Sequence, residues 1–127
     1  MIHSIGTDIV DIPRFRKAVE RWGDRFSTKI LTADELRYCR SKADAILSMA
    51  VRFAAKEAFI KCLNEEEYRH FTWQQVEVVS ADTGKPSIRL KGELARLFQG
   101  HRIYVSLSHS DQSAVALMVI EMPEISQ

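Results

Sequence analysis

The stretch Arg52-Phe53-Ala54-Ala55-Lys56-Glu57-Ala58-Phe59-Ile60-Lys61 contains no Gly or Pro and is rich in Ala, Lys, Glu and Arg. Those residues lose little freedom in a helix, so the stretch reads as helix throughout. Met49, Phe53, Ile60 and Leu63 recur at i, i+4, i+11 and i+14, an apolar stripe at helical spacing. Glu57 and Lys61 stand one turn apart beside that stripe. A carboxylate and several cations bordering a buried seam suit a site for a metal-bound polyphosphate. The same spacing also describes an i,i+4 Glu–Lys pair on a solvated face, worth about 0.2–0.5 kcal/mol. The helix alone leaves both readings open.

Upstream, Ser41-Lys42-Ala43-Asp44 has the form of a capping box and is expected to open this helix, which runs to about Leu63. Thr32-Ala33-Asp34-Glu35 is a second box, opening a short helix through Tyr38. Asp11-Ile12-Pro13 starts a further helix, because Pro13 suits a first turn. Phe15, Val19, Trp22 and Phe26 supply its apolar face, read as buried. Arg14, Lys17, Arg21 and Arg25 form a second stripe beside it. Residues 12–31 hold six basic and two acidic side chains, on a chain whose net charge is only +1. That concentration can steer an acidic partner, although a merely solvated face has the same pattern. Ile2 to Val10 reads as a strand, and Gly6 within it marks a bulge or a close backbone approach. Asp8 lies among Ile5, Ile9 and Val10, where a carboxylate is costly unless paired or metal-bound. A capping Asp at a strand end is the alternative.

Downstream, Asn64-Glu65-Glu66-Glu67-Tyr68 reads as a solvated acidic loop. Val76, Val78 and Val79 give a strand, Asp82 to Pro86 a turn, and Ser87 to Leu90 the next strand. Gly92-Glu93 opens a short helix. Ile103, Val105 and Leu107 alternate with polar residues, and Ala114 to Ile120 is an apolar strand after the turn His109–Gln112. Helices come first and hairpins last. The fold class is therefore α+β, an antiparallel sheet packed on a long central helix.

The 127 residues make one domain, 1–127, and 46% hydrophobic with 28% charged residues is an ordinary globular mix. No apolar run reaches the roughly 18 residues of a membrane span. Without a signal-like N-terminus, the cytoplasm is the expected location. Cys39 and Cys62 lack metal-ligand spacing. No nucleophile elbow, P-loop or dinucleotide fingerprint is present. Nucleic-acid binding would want a more basic chain with exposed, interleaved aromatics. Hard-cation chemistry remains. Asp8 and Glu57 can meet around Mg²⁺, with Arg52, Lys56, Lys61 and Lys85 neutralising phosphate oxygens. Gly84 and Pro86 would hold the Lys85 turn near the ligand, and Ser108 and His109 offer hydroxyl and imidazole donors.

Four segments occur in register: Gly6-Thr7-Asp8-Ile9-Val10, Arg52-Phe53-Ala54-Ala55-Lys56-Glu57-Ala58, Gly84-Lys85-Pro86 and Ser106-Leu107-Ser108-His109-Ser110. Together they resemble the holo-(acyl-carrier-protein) synthases, the short 4′-phosphopantetheinyl transferases, over nearly the whole chain. The resemblance implies the fold of that family. It implies Mg²⁺-dependent transfer of 4′-phosphopantetheine from coenzyme A to a serine of apo acyl carrier protein, releasing adenosine 3′,5′-bisphosphate for fatty acid biosynthesis. Asp8 and Glu57 would ligate the metal, Mn²⁺ being a possible substitute, with Glu57 and Lys61 catalytic. Coenzyme A would meet Arg52, Lys56, Lys61, Gly84, Lys85, Pro86, Ser108 and His109. Arg14, Lys17, Arg21 and Arg25 would bind the carrier protein. The resemblance also implies a homotrimer with active sites between protomers. One segment departs from the family: a glycine-containing loop usually follows the Lys-Glu helix, where this chain has Asn64 and three glutamates.

Two other readings use the same residues. A non-catalytic module of this fold would bind an acidic carrier protein through the first helix and tolerate loss of Asp8. A Mg²⁺-dependent nucleotide pyrophosphatase would need the carboxylates and lysines but no docking helix.

Overall fold

The structure, a computed structural model, describes residues 1–125. Strand β1 (Ile2–Asp11) leads into α1 (Ile12–Trp22) and α2 (Asp24–Ile30), followed by α3 (Ala33–Arg40), α4 (Ala45–Lys61) and α5 (Glu65–Tyr68). A 3-10 turn precedes β2 (Val76–Ser80) and β3 (Pro86–Leu90); α6 (Gly92–Leu97), β4 (Arg102–His109) and β5 (Ser113–Glu121) complete the order. The strands form an antiparallel sheet β1-β5-β4 and a separate antiparallel hairpin β2-β3. This is the expected α+β arrangement, with α4 packed on β1 and β5.

Helix α4 departs from a one-stripe amphipathic design. Met49, Ala50, Ala54, Ala55, Ala58 and Phe59 are buried, while Phe53 and Ile60 of the anticipated stripe are half-buried. A helix enclosed on several sides needs small residues on the face that meets the sheet. Here Ala54, Ala55 and Ala58 share the core with Ala114, Ala116 and Gly6. A Cβ at Gly6 would collide with the Ala58 carbonyl oxygen and come within 3.0 Å of Cys62 Sγ. Gly6 thus marks a close backbone approach, the second of the two readings its position allowed. Phe53 serves a different neighbourhood, its ring tilted against Phe15 at 5.4 Å and stacked on Trp73 at 5.6 Å.

Four local expectations change. Asp44, rather than Ser41, caps α4 by accepting from the Leu47 N–H at 3.0 Å. Ser41 instead closes α3, its hydroxyl donating to the Tyr38 carbonyl at 2.6 Å. The first helix breaks at Gly23, whose φ of 59° only glycine adopts freely, so the basic stripe divides between α1 and α2. Trp22 lies at that break and is 56% exposed, not buried. The acidic segment is a short helix, α5, whose capping box is made by Asn64 and Glu67. The Thr32–Glu35 box forms as anticipated.

Replacing Gly6 by Ala is expected to cost at least about 1–3 kcal/mol, since the Ala58 backbone cannot retreat without repacking α4. Urea denaturation would show a lower midpoint with an unchanged slope. A midpoint equal to the parent's would refute the close approach.

Candidate active site

Asp8 projects from β1 toward the C-terminal end of α4, where Lys61 Nζ donates to its Oδ1 at 2.9 Å. Asp8 is largely enclosed, with 14% of its side chain exposed, whereas Lys61 is more than half exposed. Glu57 completes the group. Burial raises its pKa above the ordinary carboxylate value, the negative Asp8 raises it further, and Lys61 offsets part of the effect. Hydrogen bonding to Asp8 raises the Lys61 pKa in turn. A divalent cation set between these two neighbouring carboxylates would offset their like charge. Their oxygens are hard donors suited to Mg²⁺, which leaves its other positions to water and phosphate. Among the described residues no group of three or more His, Cys, Asp or Glu could hold a metal. The donor set thus fits a cation shared with substrate rather than a closed protein cage.

A second feature lies on another flank of α4. A cavity of ≈ 500 Å³ is bordered by Tyr38, Lys42, Arg52, Gly84, Pro86 and His109, a size suited to a small-molecule ligand. Arg52 is 4% exposed, yet it pairs with no carboxylate among the described residues. Its Nη1 donates to Ser48 Oγ at 3.0 Å and its Nη2 to Ser80 Oγ at 2.9 Å, while Nε has no acceptor. A buried guanidinium held by neutral hydroxyls, a backbone carbonyl and an aromatic ring keeps its charge uncompensated. Lys85 and Ser108 are exposed, and their chain neighbours, rather than they themselves, line the cavity. Arg52, Gly84, Pro86 and His109 therefore border one cavity. Tyr38 and Lys42 were missed. Their i,i+4 spacing across the end of α3 was the available signal.

Lys56 corrects the expectation that it contacts phosphate. Its side chain is 0% exposed, and its Nζ donates to Glu35 Oε1 at 2.6 Å, the Ile30 carbonyl at 2.7 Å and the Trp73 carbonyl at 3.0 Å. These acceptors use all three ammonium protons. Burial lowers the Lys56 pKa, and Glu35 draws it back up. Glu35 also caps α3 through the Thr32 N–H and accepts from the Val78 N–H at 2.7 Å, so this pair ties α3, α4 and β2 together. No donor remains for a ligand.

The acidic segment turns elsewhere too. Glu67 accepts from His3 Nε2 at 2.8 Å near the start of β1, and Glu66 pairs with Arg69. Arg14, Lys17 and Arg21 are exposed on α1, and Arg25 is exposed on α2. Arg21 lies 4.9 Å over the Trp22 ring, which gives the basic surface an aromatic member that the pattern of α1 had assigned to the core.

A model of the 4′-phosphopantetheinyl transferase superfamily matches residues 4–117. The chain is 41% identical over 124 residues to the holo-[acyl-carrier-protein] synthase of Koribacter versatilis, covering 95% of this chain and 99% of that one. The crystal structure of the Neisseria meningitidis holo-[acyl-carrier-protein] synthase superposes with a TM-score of 0.84 at 30% identity, over 95% of this chain and 99% of its own. The Bacillus anthracis synthase, solved in complex with coenzyme A (3′,5′-ADP), gives 0.76 at 30% identity over 96% and 98%. The chain belongs to the 4′-phosphopantetheinyl transferase superfamily. Within it, the chain is an enzyme of the holo-[acyl-carrier-protein] synthase family.

Lys56→Met is expected to destabilise the fold by about 3–5 kcal/mol, because Glu35 would be left as an unpaired buried charge. Adding Glu35→Gln should restore part of that loss. Thermal unfolding of the single and double variants checks both, and a Lys56→Met variant as stable as the parent would contradict the buried pair.

Proposed function

We propose that this protein transfers 4′-phosphopantetheine from coenzyme A to a serine of an apo acyl carrier protein, releases adenosine 3′,5′-bisphosphate, and serves fatty acid biosynthesis in the cytoplasm. The observation that carries the reading is the Asp8–Glu57–Lys61 cluster in a chain of this family. Asp8 and Glu57 would hold Mg²⁺ or Mn²⁺, which when bound neutralises pyrophosphate oxygens and so stabilises charge in phosphoryl transfer. Lys61, more than half exposed and paired with Asp8 at 2.9 Å, offers a cation to the same oxygens. The serine Oγ bonds to the β-phosphorus and its proton passes to solvent, while the bond from that phosphorus to the bridging oxygen breaks. The bridging oxygen leaves with the adenosine bisphosphate. The nucleophile belongs to the carrier, which accounts for the lack of a nucleophile motif here. Arg52, Gly84, Pro86 and His109 serve the nucleotide in the ≈ 500 Å³ cavity.

Two observations support a homotrimer with active sites between protomers. Glu57 and Arg52 are five residues apart on α4, about 140° around its axis. Glu57 faces Asp8 on β1, whereas Arg52 faces Tyr38 of α3 and Ser80 of β2. One coenzyme A would have to round α4 to reach both in a single chain; a neighbouring chain can bring the second half to the first. The sheet also leaves an apolar face open: Ile5, Ile9, Tyr104, Val115 and Leu117 are exposed, Ile9 by 68%. That face is suited to another copy of the chain.

The carrier docks on Arg14, Lys17, Arg21 and Arg25, whose exposed charges complement an acidic surface.

Incubation with coenzyme A, Mg²⁺ and apo acyl carrier protein should add one phosphopantetheine to the carrier by intact mass. Asp8→Ala, or EDTA, should abolish the gain. Carrier binding without any mass gain, by a folded sample, would leave the non-catalytic module in its place. Hydrolysis of coenzyme A that ignores the carrier would favour the pyrophosphatase.

Arg14→Glu with Arg21→Glu should lower kcat/KM for the carrier about ten-fold or more, and increasingly at low salt, while leaving the KM for coenzyme A unchanged. Equal activity with both charges reversed would remove α1 from the docking surface.

In solution the protein should have the mass of three chains, and Leu117→Asp should separate them. Mixed Asp8→Ala and Arg52→Met chains should recover activity that neither has alone. No recovery from a mixed trimer would confine each site to one chain.

A further inference from the structure

We propose, on the reading of the cavity as the coenzyme A nucleotide site, that Tyr38 is a positioning residue: its ring holds Arg52 and Lys42 for a phosphate monoester and so sets recognition of the doubly phosphorylated nucleotide. The Arg52 guanidinium carbon lies 4.1 Å from the centre of the Tyr38 ring and Lys42 Nζ lies 4.7 Å from it. Both distances are within the range of cation–π attraction. Tyr38, Lys42 and Arg52 all border the same cavity.

The comparison with Lys56, one turn along α4, gives the ring its meaning. Lys56 is neutralised by Glu35 and has no charge left to offer. Arg52 is nearly as buried but meets only the hydroxyls of Ser48 and Ser80, the Ser48 carbonyl and an aromatic face. A π face stabilises a cation without cancelling its charge. The acid on the cavity wall, Asp44, is engaged by Arg16 at 3.0 Å and by the Leu47 N–H, so it does not quench the pair. Ser80, and then Lys42 and Arg52, hold the Tyr38 phenol below its usual pKa, as expected for a ring set among donors and cations. Two fixed cations at one wall favour a ligand with a dianionic phosphate there over one without it.

The test compares adenosine 3′,5′-bisphosphate with adenosine 5′-monophosphate by calorimetry, together with the kinetics of carrier modification. Tyr38→Leu and Tyr38→Met replace the ring at a half-exposed helical position with good helix formers. Either should weaken the bisphosphate about ten-fold and the monophosphate about two-fold at most. The KM for coenzyme A should rise in proportion with kcat nearly unchanged, and Tyr38→Phe should restore most of the affinity. With Lys42→Met and Arg52→Met already present, removing the ring should add no further loss. Equal weakening of both nucleotides, or the same loss in that double background, would make Tyr38 merely structural and overturn the proposal. A wild-type protein that binds neither coenzyme A nor the bisphosphate would instead remove the nucleotide reading itself. Normal wild-type binding with unaltered Tyr38 variants would remove only the role of Tyr38.

Discussion

The close approach of β1 to α4 is the constraint on which the site depends. Gly6 lies against the Ala58 carbonyl with no room for a Cβ. Asp8 is two residues beyond Gly6, and Glu57 is one residue before Ala58, so the contact that seals the core also brings the two carboxylates together. Any larger residue at Gly6 would push β1 away from α4 and open the distance between them. The small residues of the facing strand, Ala114 and Ala116, keep the helix seated on β5 by the same means. Packing and chemistry are here one requirement.

Around the rest of α4, two buried cations meet opposite surroundings. Lys56 uses every proton on protein acceptors and joins three elements. Arg52 has neutral acceptors and an aromatic face, and keeps its charge. Burial alone does not distinguish the two, because both are nearly inaccessible. The partner does: a carboxylate ends a cation's availability, and a hydroxyl or a ring does not. A cavity lies beside Arg52, whereas the Lys56 side chain is 0% exposed and spent on protein acceptors.

The places where pattern reading failed have physical causes. Trp22 falls at a helical position in phase with Phe15 and Val19, but Gly23 breaks the helix there, and the ring turns outward beneath Arg21. Ser41 has a capping sequence, yet a hydroxyl that can bond backward to Tyr38 finishes α3 before α4 begins. Lys56 sits in the same run as Arg52 and Lys61, and nothing local says that Glu35 waits for it. The acidic residues after α4 read as a loop because their order comes from a reciprocal cap and from His3, a residue at the other end of the chain.

The amino-acid sequence by itself determined the α+β class, the long Ala-rich helix, the Thr32 cap, the alternating last strands and the identity of Asp8, Glu57 and Lys61 as a set. These follow from local propensity, from periodicity and from motifs whose spacing is intact. Only the tertiary structure decided which lysine is structural and which is available, that Tyr38 and Lys42 share a cavity with Arg52, and that the Asp8–Glu57 pair and that cavity lie on different flanks of one helix. Those outcomes depend on which side chains distant parts of the chain present to each other. Short-range spacing carries no information about them.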